Sequence, residues 1–274
     1  MTQAIVVDSH PLDQILRADR MPHIFCPGCG IGIAMRCYAQ ALLESGIPQQ
    51  RHVVVSGIGC TGRVAGYIAI DSYHTTHGRA IPFATGLKLA NPNLMVTVFS
   101  GDGDLAAIGG NHLIHAARRN VDIKVICVNN FNYGMTGGQC APTTPLGAIA
   151  TTAPYGNPEQ PFNLPYLLVA AGAGYVSRWT TLHVRQLKQD ILRCFARPGF
   201  TFIEVLSACP VGFGKSNSIA DGLEELQLYR ERCVIADGVP LEKMSIDLRE
   251  NRPIYIGNFI DRDLPVYHPV SLTT

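Results

Sequence analysis

A chain of 274 residues, 47% hydrophobic and 16% charged, is long enough to bury a sizeable core. Its formal net charge of +1, with no long basic or acidic run, excludes nucleic acid or an anionic membrane surface as a partner held by charge. No apolar run approaches the ~20 residues that span a bilayer, and residues 1–14 (MTQAIVVDSHPLDQ) lack the basic start and apolar core of an export signal, so a cytoplasmic protein is expected. Nine cysteines in such a compartment point to metal or redox chemistry more than to disulfides.

Residues 1–25 carry little periodicity and two breakers, Pro11 and Pro22, and read as an extended arm. Cys26-Pro27-Gly28-Cys29-Gly30 follows, a tight knuckle that aims two thiolates at one metal centre. A helix is predicted over 31–44 and a strand over 51–56 (RHVVVS), which delivers the turn Gly57-Ile58-Gly59-Cys60-Thr61-Gly62-Arg63. Residues 71–88 mix polar residues with a following helix. Within them His77-Gly78-Arg79 offers an imidazole and a flexible backbone to an anion such as a diphosphate, whereas His74 and His77 as a metal pair are the weaker reading.

Residues 94–99 (LMVTVF) read as a buried parallel strand entering the turn Gly101-Asp102-Gly103-Asp104. The glycines let backbone approach a ligand, and Asp102 offers a hard oxygen suited to Mg²⁺. A helix over 105–119 and a strand over 121–128 complete a right-handed crossover, which puts both strand ends on one sheet edge. Asn130 follows Asp102 by 28 positions, so a carboxylate and an amide oxygen can share one cation, with the carbonyl of Asn132 as a third ligand. Phosphate oxygens and water would fill the rest of the octahedron. Gly-Asp-Gly alone is weakly specific, and an ordinary α/β turn explains it as well. The second half, at the right distance and continued through Tyr133-Gly134-Met135-Thr136-Gly137-Gly138-Gln139, favours a magnesium-diphosphate clamp.

Residues 140–165 form a Pro- and Thr-rich loop of the functional type. A helix over 164–173, a strand over 175–179, a helix over 182–195 and a strand over 200–206 continue a doubly wound α/β alternation with a mainly parallel sheet. Cys209 follows that last strand, and Cys60 follows the first, so both emerge where ligand sites of such sheets collect. Cys26, Cys29, Cys60 and Cys209 suit a [4Fe-4S] cluster or a structural zinc; the pattern alone does not discriminate, and the neighbouring diphosphate site tips the balance to iron. The other five cysteines read as core or surface residues. Past Cys209 a charged helix over 223–235 and a proline-dotted tail are expected to wrap a partner subunit. The expected organisation is an arm (1–25), a binding domain (26–215) and a C-terminal extension (216–274).

Taken in order and at these intervals, the motifs of residues 20 to 215 resemble the thiamine-diphosphate-binding β subunit of 2-oxoacid:ferredoxin oxidoreductases. The run Ala107-Ile108-Gly109-Gly110-Asn111-His112 and the variant at 133–139 look most like the 2-oxoglutarate enzymes, with pyruvate or branched-chain 2-oxoacids as runners-up. The resemblance implies the thiamine-diphosphate-binding fold, with Asp102, Asn130 and Asn132 as magnesium ligands and the four cysteines as [4Fe-4S] ligands. Gly101, Gly103, Asp104, Thr136 and His77 would meet the diphosphate, and Ile58, Gly59, Cys60, Tyr133, Gly134 and Met135 the rest of the cofactor.

It further implies oxidative decarboxylation, with electrons passing to ferredoxin and the acyl group to coenzyme A. The chain carries no separate carboxylate motif to activate the cofactor and no Cys-x-x-Cys-x-x-Cys-x-x-x-Cys module, so an α subunit is expected to bring the activating Glu. Arg63, three positions beyond Cys60, is the candidate for a substrate's distal carboxylate, against an equally open role in a structural ion pair. The alternative enzyme class is a non-redox thiamine-diphosphate subunit whose cysteines hold zinc.

Overall fold

The structure is a computed structural model and describes residues 10–219, 221–248 and 251–268; residues 1–9 of the expected arm lie outside the described residues. Helix α1 (Ile31–Glu44) leads into strands β1 (His52–Ser56) and β2 (Asp71–His74), then α2 (Ala80–Ala90), β3 (Met95–Gly101), α3 (Gly110–Arg118) and β4 (Lys124–Asn129). A small hairpin, β5 (Asn132–Tyr133) with β6 (Gln139–Cys140), precedes α4 (Leu164–Ala170), β7 (Tyr175–Thr180), α5 (Val184–Ala196) and β8 (Thr201–Leu206). Last come α6 (Gly222–Arg232), β9 (Cys233–Ile235) and β10 (Ile254–Asp261).

Eight strands form one sheet in the order β2-β1-β3-β4-β8-β7-β10-β9, parallel throughout except where β10 runs against β7. The period of two splits each strand between two cores. Along β4, Ile126 and Val128 join the layer of α1 and α5, with Tyr38, Leu187 and Ile191. Val125 and Cys127 join the layer of α2, α3 and α4, with Ile81, Leu113 and Leu168. The sheet is therefore doubly wound. Its order reverses between β1 and β3, which opens a crevice above the C-terminal ends of those strands.

Four local expectations are corrected. Strand β2 sits at the sheet edge with all four residues exposed, so it shows none of the apolar alternation by which strands are read. The expected helix over 105–119 divides into a π-helical turn (Gly103–Ile108) and α3, joined at Gly109, whose N–H reaches back to the Asp104 carbonyl. The charged helix stops at Arg232, because Cys233-Val234-Ile235 is extended and pairs with β10.

Within the expected extension over 216–274, the described strands β9 and β10 finish the sheet of the same body, and Ile254, Ile256 and Phe259 are buried in it. The prolines flanking this segment hid an eight-residue strand.

One buried ion pair ties that late segment to the centre. Arg178 on β7 and Glu204 on β8 meet at 2.5 Å, each side chain 1% exposed. The guanidinium also donates to the carbonyls of Met244 and Tyr255, while the other Glu204 oxygen accepts from Asn129 at the end of β4. Removing one partner strands a charge in the sheet. Arg178→Met is expected to lower the free energy of unfolding by about 3–5 kcal/mol in urea titration, and adding Glu204→Gln should recover part of that loss.

His52 supplies a pH-dependent contribution. It is buried, bonded to Ser45 Oγ at 3.1 Å, and burial, with the Arg51 charge second, holds it down at about 4. Between pH 6.5 and 4 the unfolded chain takes a proton that the folded one refuses, so stability falls as pH falls through that window, by up to about 3 kcal/mol. His52→Gln should flatten the slope of stability against pH there.

Candidate active site

The C-terminal ends of β1, β3 and β4 converge on one cleft. It is lined by Ile58, Gly59 and Cys60 after β1, His77 after β2, Gly101 to Asp104 after β3, and Asn130 and Asn132 to Thr136 after β4. Every residue expected at the cofactor is thus brought to one place. Arg63 is the exception among the candidates: it is exposed on the turn after Cys60 and does not line the cleft.

Three oxygens meet in its floor. The Asn130 side-chain oxygen lies 2.7 Å from the Asn132 carbonyl and 3.1 Å from Asp102 Oδ1. Turning the amide over puts its nitrogen there as a donor that satisfies both contacts; with the oxygen there, three acceptors crowd together, an arrangement that a cation between them would stabilise. Ligands on adjacent corners of a magnesium octahedron stand about 3 Å apart, so these are the spacings a bound ion would impose.

The backbone is bent to make them. Phe131 adopts φ +63°, rare for an aromatic residue, and this kink points the Asn130 side chain and the Asn132 carbonyl the same way. Phe131 is held there by packing on Phe213 and by Thr144, whose hydroxyl donates to its carbonyl at 2.6 Å. Burial first pushes the Asp102 carboxyl up to about 7, against the hydrogen bonds it accepts from Thr143 and from backbone N–H groups. Both polar atoms of the Asn132 side chain are buried without a partner. A buried acid beside two further acceptor oxygens fits a divalent cation.

The cleft is shaped for close backbone approach. A Cβ on Gly103 would stand 2.3 Å from the Tyr133 ring, so only glycine passes there. Gly138, at φ +86°, would drive a Cβ to 2.5 Å from the Gly212 carbonyl. Thr136 closes the hairpin through its Oγ1 on Gln139 at 2.6 Å. Arg79 turns away to cap the carbonyls of Gly78 and Ile108.

Two residues carry roles that sequence reasoning missed. Thr143, in the proline-rich loop, donates to Asp102; a threonine among many in a loop gives no signal. Asp104 borders the cleft, but its carboxylate is taken up by the protein. It accepts from the N–H of Ile58 (3.1 Å) and Gly78 (2.8 Å), from Ser100 Oγ (2.9 Å) and from His77 Nδ1 (2.7 Å).

Cys26, Cys29, Cys60 and Cys209 gather beside the cleft. Burial raises the Cys29 thiol to about 12, and the charges of Cys209, Cys60 and Cys26 add to the rise, so all four share one region. Cys60 is likewise raised by burial and then by Cys209 and Cys26, and it lines the cleft itself. Cys209 accepts from the Gly212 N–H at 3.2 Å and lies 3.3 Å from where a Gly134 Cβ would stand. Among the described residues no three His, Cys, Asp or Glu close on a point that would hold a single metal ion.

A sheet of this topology, with a cation floor and a glycine-walled cleft at its switch point, is the architecture of thiamine-diphosphate enzymes. Residues 57–205 match the family model described as "Thiamine pyrophosphate enzyme, C-terminal TPP binding domain". The chain is 49% identical over 261 residues to "2-oxoglutarate synthase subunit KorB" of Methanocaldococcus jannaschii, covering 94% of each. It is 42% identical to "2-oxoacid:ferredoxin oxidoreductase 2, subunit beta" of Aeropyrum pernix, over 68% of this chain and 60% of that one. Among solved structures it superposes with TM-score 0.82 and 30% identity on the 2-oxoglutarate:ferredoxin oxidoreductase from Magnetococcus marinus with 2-oxoglutarate, coenzyme A and succinyl-CoA bound. The match covers 97% of this chain and 90% of that one. The chain belongs to the β-subunit family of the 2-oxoacid:ferredoxin oxidoreductases.

Burial orders the reactivity of the thiols. In chain freed of metal, iodoacetamide at pH 8 should alkylate exposed Cys26 at least about tenfold faster than Cys29, read by peptide mass spectrometry.

Proposed function

We propose that the chain is the β subunit of a 2-oxoglutarate:ferredoxin oxidoreductase, which forms succinyl-CoA and CO₂ and works with an α subunit. The single observation that carries this is the three-oxygen floor of Asp102, Asn130 and Asn132 beside four gathered cysteines, in a chain 49% identical to a 2-oxoglutarate synthase subunit.

Asp102, Asn130 and the Asn132 carbonyl hold Mg²⁺, and the backbone at Gly101 and Gly103 with Thr136 and His77 receives the diphosphate. Ile58, Gly59, Cys60, Tyr133, Gly134 and Met135 wall the remainder. Bound thiamine diphosphate supplies the electron sink that decarboxylation of a 2-oxoacid requires. The diphosphate site beside Cys26, Cys29, Cys60 and Cys209 favours a [4Fe-4S] cluster, with ferredoxin as acceptor, over zinc. Half-buried Ile58 and Met135, 43% and 47% exposed, leave the mouth apolar and open, which suits cover by an α subunit.

Arg63 is the residue we assign to the distal carboxylate of 2-oxoglutarate. It makes no ion pair among the described residues, and its charge, after burial, holds His74 below its usual value. An exposed guanidinium three positions beyond the cleft-lining Cys60 fits bidentate capture of a carboxylate. We place the protein in the cytoplasm: all nine cysteines are free, and among the described residues no helix is long and apolar enough to cross a membrane.

Anaerobic purification with the co-purifying chain, followed by absorption spectra, tests this. Bleaching of the iron-sulfur band on adding 2-oxoglutarate with coenzyme A is expected; a colourless zinc protein would sink the oxidoreductase reading. Arg63→Met should cut turnover on 2-oxoglutarate by about tenfold or more while sparing residual turnover on pyruvate, and equal loss on both would remove Arg63 from the substrate role.

A further inference from the structure

The Asp104 carboxylate is buried at the border of the cleft, two residues from the cation floor, and its oxygens are taken up by donors of the protein itself. Its four donors come from three strand ends: Ile58 after β1, His77 and Gly78 after β2, and Ser100 at the end of β3. Three of these are backbone or hydroxyl groups, which hold loops. The fourth is an imidazole that lines the cleft, its side chain 34% exposed.

With Nδ1 given to Asp104, the ring has one nitrogen left. Nε2 has no protein partner among the described residues, and the ring stands edge-on to Tyr133 at 6.1 Å, across the cleft wall from Gly103. A carboxylate accepting on one side makes Nδ1 the donor and fixes the plane of the ring. An imidazole that then meets a phosphate oxygen through Nε2 donates from both nitrogens and is cationic, and Asp104 balances that charge inside the protein.

We propose that Asp104 is a positioning residue that acts through His77, orienting the imidazole so that Nε2 donates to the diphosphate of the bound cofactor. This rests on the thiamine-diphosphate reading given above. Asp104 would not touch the ligand. It would set the geometry and the charge of the group that does.

Amide replacements separate the two sides of the ring. The amide nitrogen of asparagine overlays Nδ1, so His77→Asn keeps the bond to Asp104 and loses the reach of Nε2; Asp104→Asn keeps an oxygen for the N–H groups of Ile58 and Gly78 but removes the charge. The experiment is a double-mutant cycle in the purified complex with the α subunit, reading the dissociation constant of thiamine diphosphate with Mg²⁺ by calorimetry, beside the melting temperature without cofactor. His77→Asn should weaken thiamine diphosphate by about tenfold with an unchanged melting temperature, as loss of one charge-assisted hydrogen bond does. Asp104→Asn should weaken it at least as much in the wild-type background and by less than about half that factor, on a logarithmic scale, beside His77→Asn.

Normal affinity in His77→Asn would overturn the proposal, since a purely structural histidine is satisfied by that substitution. Undiminished loss from Asp104→Asn in the His77→Asn background would overturn it too, by making Asp104 a loop anchor alone. A wild-type complex that binds no thiamine diphosphate would instead strike down the functional reading beneath it.

Discussion

A parallel sheet brings its active-site loops together from segments far apart in sequence, and it leaves those loops with no hydrogen-bond ladder of their own. In this chain one buried carboxylate takes up that task. Asp104 collects donors following three different strands, and a Cβ on Gly57 would collide with it at 1.9 Å, so the turn after β1 is packed directly against it. A charge that deep is tolerable only when every lone pair is used. Three donors meet Oδ1 and one meets Oδ2, so neither oxygen is left unpaired, and the same bonds fix where Ile58, His77 and Gly78 stand. The cleft depends on this knot before it depends on any ligand.

The π-helical turn over Gly103–Ile108 explains how two acids two residues apart hold different posts. Asp102 turns to Asn130 and Thr143, and Asp104 turns back under β1 and β2. An extra residue in the turn widens it, a device that recurs at functional sites. Read as a motif, Gly-Asp-Gly-Asp puts both carboxylates on the ligand; read as geometry, the first faces the cation floor and the second faces the protein.

That contrast marks what was legible in the sequence. Strands buried on both faces announce themselves by unbroken β-branched runs, so β1, β3, β4, β7 and β8 could be read to within a few residues, and with them the loops that carry the cleft. Strand β2 could not, because an exposed edge strand has no reason to be apolar, and β10 was masked by the prolines around it. Residue type and spacing pointed to Asp102 and Asn130 because a cation needs oxygen ligands from adjacent strand ends. They were silent on Thr143 and on the true partners of Asp104, of which Ser100 alone is local while Ile58, His77 and Gly78 lie 26 to 46 positions away.

The cleft and the gathered thiols are one structure. Cys60 lines the cleft and shares its field with Cys26, Cys29 and Cys209, and the wall between Cys209 and the cleft is the backbone of Gly134. A side chain at position 134 would press on the Cys209 sulfur at 3.3 Å, closer than ordinary van der Waals contact allows without movement. Glycine there keeps the two compartments separated by no more than a strand of main chain. Whatever occupies one compartment is therefore kept from the other by no more than a peptide backbone and the Cys60 side chain.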